Sequence, residues 1–243
     1  MLIKEENIDK MSEPSWDLVI NAGERHARSS LKRIWPYRDL LWLLIRRDFV
    51  SFYKQTVLGP LWFFIKPVFG AIVYLFVFSE LAGLSTDGIP PALFYISGLT
   101  AWSYFSETVA MTSDVLSKNA DIFGKVYFPR LIMPLSIVFS NMIKLGIQVT
   151  LIFMILAYYL LFTDQVVVTL AILLVPIIVL IIAVQALGLG LLVAAVSTKY
   201  RDISMMIGYV LQLGLFITPV VYPLSSISGK FKLIASANPM TFP

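Results

Sequence analysis

The chain has no cysteine and a single histidine, His26, among its 243 residues. Disulfides and thiol chemistry are excluded, and nucleophilic triads built on a histidine base nearly so. No HExxH and no His/Cys cluster with metal-ligand spacing occurs. The phosphate-cradling pattern GxxxxGK[ST] is also missing, so this chain is not expected to bind and hydrolyse ATP by that route. Charge is scarce: 14% of residues are Asp, Glu, Lys or Arg, against about a quarter in soluble domains. Clustered carboxylates of the kind a membrane enzyme needs near one interface are absent. The first thirty residues are polar and lack the apolar core of a secretory signal peptide. They read as a soluble tail.

What is present is apolar. Hydrophobic residues make up 58% of the chain and mean hydropathy is +0.81, which marks an all-α, polytopic integral membrane bundle. A span needs about 20 mostly apolar residues to cross ~30 Å of hydrocarbon. Five segments qualify, roughly Leu58–Phe78, Leu93–Val115, Leu131–Leu161, Val166–Val196 and Ile203–Tyr222. Pro67 and Pro176 fall inside spans and are expected to kink them.

The net charge of +4 is unevenly spread, with ten of the nineteen Lys and Arg in residues 1–57. Such asymmetry points to a membrane-facing cytoplasmic N terminus rather than to nucleic acid. The connections near Glu80–Pro91 and Thr163–Gln165 carry no Lys or Arg, whereas Lys118–Arg130 carries three and Lys199–Arg201 two. The positive-inside rule then places the N terminus and both basic connections in the cytoplasm, and the tail after Tyr222 outside. Lys230 and Lys232 in that tail run weakly against the rule.

The expected division is a polar tail over 1–35, an interfacial helix over 36–56, a transmembrane domain over 57–222 and an external segment over 223–243. In the interfacial helix Leu41, Ile45, Phe49 and Phe52 share one face, with Asp39, Arg46, Arg47 and Lys54 towards the other. Leu43 and Val50 blur the division. A helix on the cytoplasmic leaflet fits this pattern, and a plain positive flank to the first span is the alternative.

Charges at membrane depth are costly and often functional. Glu107 and Lys144 each lie ~20 Å from one end of their spans at 1.5 Å per residue, so they could meet mid-membrane. Each facing a separate aqueous lumen is the alternative. Lys66 is within snorkelling reach of the inner interface. Asn141, Gln148, Gln185 and Gln212 are intramembrane, suited to interhelical hydrogen bonds or to sugar hydroxyls. The small residues Gly188, Gly190, Ala194 and Ala195 would allow close helix packing. Aromatics near span ends (Trp62, Trp102, Tyr104, Phe105, Tyr127, Phe128, Tyr222) form an interfacial belt or line a conduit.

Three blocks resemble the permease subunits of ABC-2-type polysaccharide exporters, which move lipid-linked O-antigen, capsular polysaccharide or teichoic acid. They are YKQTVLGPLWFFIKP from Tyr53, GLTAWSYFSETVAMTSDVLSKNADIFGKVYFPRLIMPLS from Gly98, and YRDISMMIGYVLQLGLFITPVVYP from Tyr200. The resemblance implies a homodimer in a bacterial plasma membrane, paired with two copies of a separate subunit that binds ATP and Mg. No cofactor is then expected on this chain. It implies a coupling helix over 119–127 that docks on that subunit, with Ile122 and Phe123 as apolar anchors and Asn119, Asp121, Lys125 and Tyr127 around them. A small interface of this kind needs a buried anchor with a polar rim. The helix before the first span becomes a cytoplasmic gate helix. Its Arg46, Arg47 and Lys54 could meet the diphosphate of a polyprenyl-linked glycan, or anionic lipid headgroups. Candidate conduit residues are Trp62, Trp102, Tyr104, Phe105, Glu107, Lys144 and Tyr222. The family has six spans and a cytoplasmic C terminus where five are counted here, so a sixth span is expected beyond Pro243 or is missing. A permease for a drug or bare lipid, and an ATP-independent channel or scaffold, are the rival readings.

Overall fold

The computed structural model describes residues 34–54, 56–163, 169–226 and 240–241. The readings made for the polar tail with His26, for the turn at Asp164 and Gln165, and for Lys230 and Lys232 lie outside these residues, as does most of the 223–243 segment. Among the described residues the chain is all-α, with no strand.

Helix α1 is Arg38–Tyr53, entered through a short 3-10 turn at Trp35–Tyr37. Helix α2, Trp62–Tyr74, starts from a 3-10 turn at Gly59–Leu61 and ends in a π-helical turn at Leu75–Leu81. Then come α3 (Pro91–Ser113), the single turns α4 (Val115–Lys118) and α5 (Ala120–Phe123), and the long α6 (Ile132–Phe162). Helices α7 (Val175–Ser197) and α8 (Arg201–Ile217) complete the bundle. Pro67 lies inside α2 as expected. Pro176 instead occupies the first turn of α7, after a 3-10 stretch at Leu170–Leu174. An N–H there has no intrahelical partner to lose, so proline starts this helix rather than kinking it.

Three of the five expected spans are long and apolar enough to cross a membrane: Gly59–Leu81, Ile132–Phe162 and Leu170–Ser197. The other two differ for separate physical reasons. Helix α8 has 17 residues, slightly short of a full crossing at 1.5 Å per residue. Helix α3 has 23 residues but carries Ser, Thr and Glu107. It is the central helix, packed against α2, α6, α7 and α8, so Thr100, Thr108, Thr112 and Ser113 are buried against protein, while Ser97, Ser103 and Glu107 are exposed on the protomer.

Hydrophobic burial does not drive association between spans, because lipid tails are as apolar as leucine; close packing and polar contacts do. The α3–α7 seam shows both. Ala183, Ala186, Gly190, Ala194 and Ser197 of α7 are buried at spacings of three and four. Ser197 Oγ donates to the Ser113 carbonyl at 3.0 Å. A Cβ on Gly190 would stand 2.6 Å from Thr112 Cβ, whereas one on Gly188 would meet nothing within 4 Å. The small-residue run expected from sequence is thus half right: Gly190 and Ala194 face inward, Gly188 and Ala195 are exposed.

Among the described residues two apolar clusters result. The larger surrounds α3, with Tyr95, Ile96, Trp102 and Phe105 against α6 and α7. The smaller joins Leu44 of α1, Val115 of α4, Phe128, and Ile132, Met133 and Ile137 of α6, with Phe123 packed against it. The first half of α1 and the α4–α5 connection therefore rest on one body.

Candidate coupling segment and the polar pocket beside it

The break between α3 and α6 is compact. Asn119 sits between α4 and α5, its side-chain amide donating to the Val115 carbonyl at 2.8 Å. Lys118 pairs with Asp114 at 3.0 Å, one helical turn earlier. Beyond α5 the chain turns tightly, Val126 N–H donating to the Ile122 carbonyl at 3.0 Å. Regular helix within 119–127 is limited to Ala120–Phe123, because Gly124 is a poor helix former and Pro129 bars continuation. Phe128 is buried and its ring lies 5.5 Å from that of Phe123. Outward stand Ile122, Val126 and Tyr127, at 38%, 56% and 59% exposure, with Asp121 and Lys125 beside them. Phe123 thus braces the segment from within, and Val126, which sequence reasoning passed over, joins Ile122 and Tyr127 on the free apolar face. Phe128, which from sequence would sit in an interfacial belt or line a conduit, is core.

Helix α1 lies on the bundle through Leu40, Leu41 and Leu44 at its start, with Ile45 also buried, and through aromatics at its end. Phe49 and Phe52 stack on Phe63 of α2 with ring centroids 5.5 and 5.7 Å apart. The expected apolar face is present, shifted to include Leu44. Trp42 and Leu43 are exposed beside Arg46, an arrangement suited to a headgroup boundary. Of the three cations, Arg46 and Lys54 are exposed. Arg47 is engaged: Nη2 lies 2.8 Å from Asp48 Oδ1, and Ser136 Oγ donates to Asp48 Oδ2 at 3.3 Å. The Ser136–Asp48 bond ties α1 to α6.

Between α1, α2, α3 and α6 lies a polar pocket of about 30 Å³, room for about two waters. Lys144 is its hub. The ammonium donates to Asn141 Oδ1 at 2.9 Å, stands 3.6 Å from the centroid of the Phe52 ring, and lies 3.9 Å from Glu107 Oε2. Asn141 Nδ2 donates to Thr108 Oγ1 at 3.0 Å. Lys66 Nζ lies 5.5 Å from the same Phe52 ring. Lys144 is buried and Glu107 about half exposed, so the two alternatives drawn from sequence are partly reconciled. The pair forms, at the outer limit of ion-pair distance, and Glu107 still reaches the outside of the protomer.

The conduit candidates separate. Trp62, Tyr104, Glu107 and Lys144 line this pocket. Trp102 and Phe105 are buried against each other at 5.5 Å and serve as core of the protomer. Tyr222 donates its hydroxyl to the Phe216 carbonyl at 2.8 Å, closing the end of α8.

Two outcomes follow for the pocket. Asn141→Leu strands a buried ammonium and Thr108, and is expected to cost about 1–3 kcal/mol, read from the thermal unfolding midpoint in detergent. A double-mutant cycle of Glu107→Gln and Lys144→Met should give a coupling below about 1 kcal/mol, since one partner is half exposed and the distance long. Coupling of several kcal/mol would show that the pair closes tightly in the working protein.

Comparison with known proteins identifies the family. An O-antigen export system permease protein of Myxococcus xanthus is 31% identical over 213 residues, covering 86% of this chain and 79% of the relative. One of Klebsiella pneumoniae is 28% identical over 204 residues, covering 83% and 76%. A family model described as ABC-2 type transporter matches residues 39–243, from the start of α1 through every span described above. This multi-pass chain belongs to the ABC-2 type transporter family of membrane proteins.

Proposed function

We propose that this chain is the membrane subunit of an ATP-driven exporter that carries a lipid-linked glycan across a bacterial plasma membrane, acting as a homodimer with two copies of an ATP-binding subunit. The observation that carries the reading is the braced knob of Ile122, Val126 and Tyr127 with its Asp121 and Lys125 rim. Its supports, Phe123, Phe128 and Val115, share a cluster with Leu44 of α1. Docking of a partner on the knob thereby has a mechanical path to α1: push on the segment, and the cluster transmits the displacement. ATP and Mg belong to the partner. In this scheme the knob and the N terminus face the cytoplasm, where ATP is available, in keeping with the basic connections. Glycan cargo rests on the relatives, both O-antigen export permeases by name.

The test removes this chain from its cell and examines surface glycan. Export of a lipid-linked glycan predicts loss of surface polymer with accumulation of the lipid-linked form inside, and the same result when the partner ATPase is inactivated. Unchanged surface glycan would favour a drug or lipid cargo. Transport that persists without ATP would favour a channel.

A further inference from the structure

The pocket at Lys144 is lined by two cationic side chains and one anionic one, Lys66 and Lys144 against Glu107. Two ammoniums, Lys66 and Lys144, approach one phenylalanine ring. Tyr104, only 4% exposed, lines the same space, and its hydroxyl has no hydrogen-bond partner among the described residues. The one carboxylate present, Glu107, is half exposed and 3.9 Å from Lys144. Asn141 Oδ1 already accepts from Lys144, and the remaining polar lining, Ser103 and Gln148, is uncharged. Lys144 is buried with one carboxylate 3.9 Å away, beside a second, exposed ammonium at Lys66 and an idle hydroxyl, and an ammonium so placed at membrane depth is expensive. An anionic oxygen would balance such a site.

Depth narrows the ligand. Lys66 lies seven residues past Gly59 and Lys144 twelve past Ile132, or ~10 and ~18 Å inward at 1.5 Å per residue. With Arg46 and Lys54 exposed on α1, cations form an inward series from the bundle's end to mid-membrane. Headgroups of resident lipids stay at the interface, so an anion reaching Lys144 is in passage. A space of about 30 Å³ is on the scale of phosphoryl oxygens and a water. Lysine serves well as a point-charge phosphate partner. Phe52 covers Lys144 and belongs to α1, so displacement of α1 would uncover the ammonium.

From this we infer a phosphoryl-binding waypoint formed by Lys66, Lys144 and Tyr104, lidded by Phe52. It rests on the exporter reading above for the source of the phosphate, a lipid-linked diphosphate, with a free phosphate as the other source of the same chemistry.

The test uses the exporter purified with its ATP-binding partner in nanodiscs, with farnesyl diphosphate, farnesol and inorganic pyrophosphate as probes and direct binding as the readout. Farnesyl diphosphate should bind the wild type. Lys66→Met, which alters an exposed side chain and spares the fold, should weaken it tenfold or more, the scale of one charge-assisted hydrogen bond. Lys144→Met should do the same, with Lys144→Arg restoring affinity to within a few fold. Lys199→Met, an equal loss of charge elsewhere, should leave affinity unchanged. Pyrophosphate binding as tightly as farnesyl diphosphate, with the same dependence on Lys66, keeps the site and assigns it to free phosphates. Binding of farnesol equal to that of its diphosphate, no binding of either phosphate probe, or loss in Arg46→Gln with none in Lys66→Met would overturn the assignment. Glycan export is measured on the same preparations. A wild type that binds the probe with Lys66 dependence yet exports no glycan defeats the exporter reading alone, whereas export with unaltered binding in both lysine variants defeats the waypoint alone.

Discussion

Aspartate at both Ile122 and Tyr127 is expected to strip the ATP-binding partner from this chain, lowering its recovery on co-purification at least a hundredfold while the chain stays folded in the membrane. Anchor residues of small interfaces commonly cost about 2 kcal/mol or more each when lost. Here a carboxylate would also be desolvated in the partner's cleft. The two side chains suit the test because they are already exposed, so the protomer loses little packing. Phe123 does not suit it. Its ring rests 5.5 Å from Phe128, and Phe123→Asp would loosen the segment from within, confusing docking with folding. Co-purified ATPase activity is the readout, with the thermal midpoint as a fold control. Full retention of ATPase by the folded double variant would move the docking site away from α5.

What could be read in the sequence follows from what periodicity encodes. The five apolar stretches emerged as five helices within a few residues because membrane spans satisfy their backbone internally, and helices are the only open-ended way to do so. The α1 helix was legible from its apolar face for the same reason. Direction within a helix was harder. Gly188 and Gly190 are two residues apart and look alike in sequence, yet lie on opposite sides of α7. Which face meets α3 is set by Thr112, 78 positions earlier in the chain. Phe123 and Phe128 likewise bracket a turn whose inward side is decided by Val115 and Ile132. The Glu107–Lys144 meeting was within reach because depth follows from residue counting, whereas the Phe52 ring over Lys144 was not: it depends on how α1 folds back on the bundle.

Leucine at Gly190 is the substitution expected to damage the fold most. Even an alanine Cβ there would stand 2.6 Å from Thr112 Cβ and 2.8 Å from Thr112 Cγ2, closer than real side chains approach. The Cβ of Thr112 is fixed to the α3 backbone, so no rotamer of Thr112 relieves the clash, and α7 must move away from the central helix. Overpacking in a well-filled interior costs about 1–3 kcal/mol and occasionally more. Here the displaced seam would also lose the Ser197–Ser113 hydrogen bond and the contacts of Ala186 and Ala194, both fully buried. Gly190→Leu should therefore yield little monodisperse protein on size exclusion in detergent, and Gly190→Ala a folded protein with a clearly lowered thermal midpoint. Gly188→Leu is the matched control. Its Cβ would meet nothing within 4 Å, and on a lipid-facing surface leucine is as well solvated as any residue, so stability should hold or rise slightly as helix propensity improves. Equal damage from both substitutions would mean that α7 is rotated from the orientation described, and that the small-residue seam does not join it to α3.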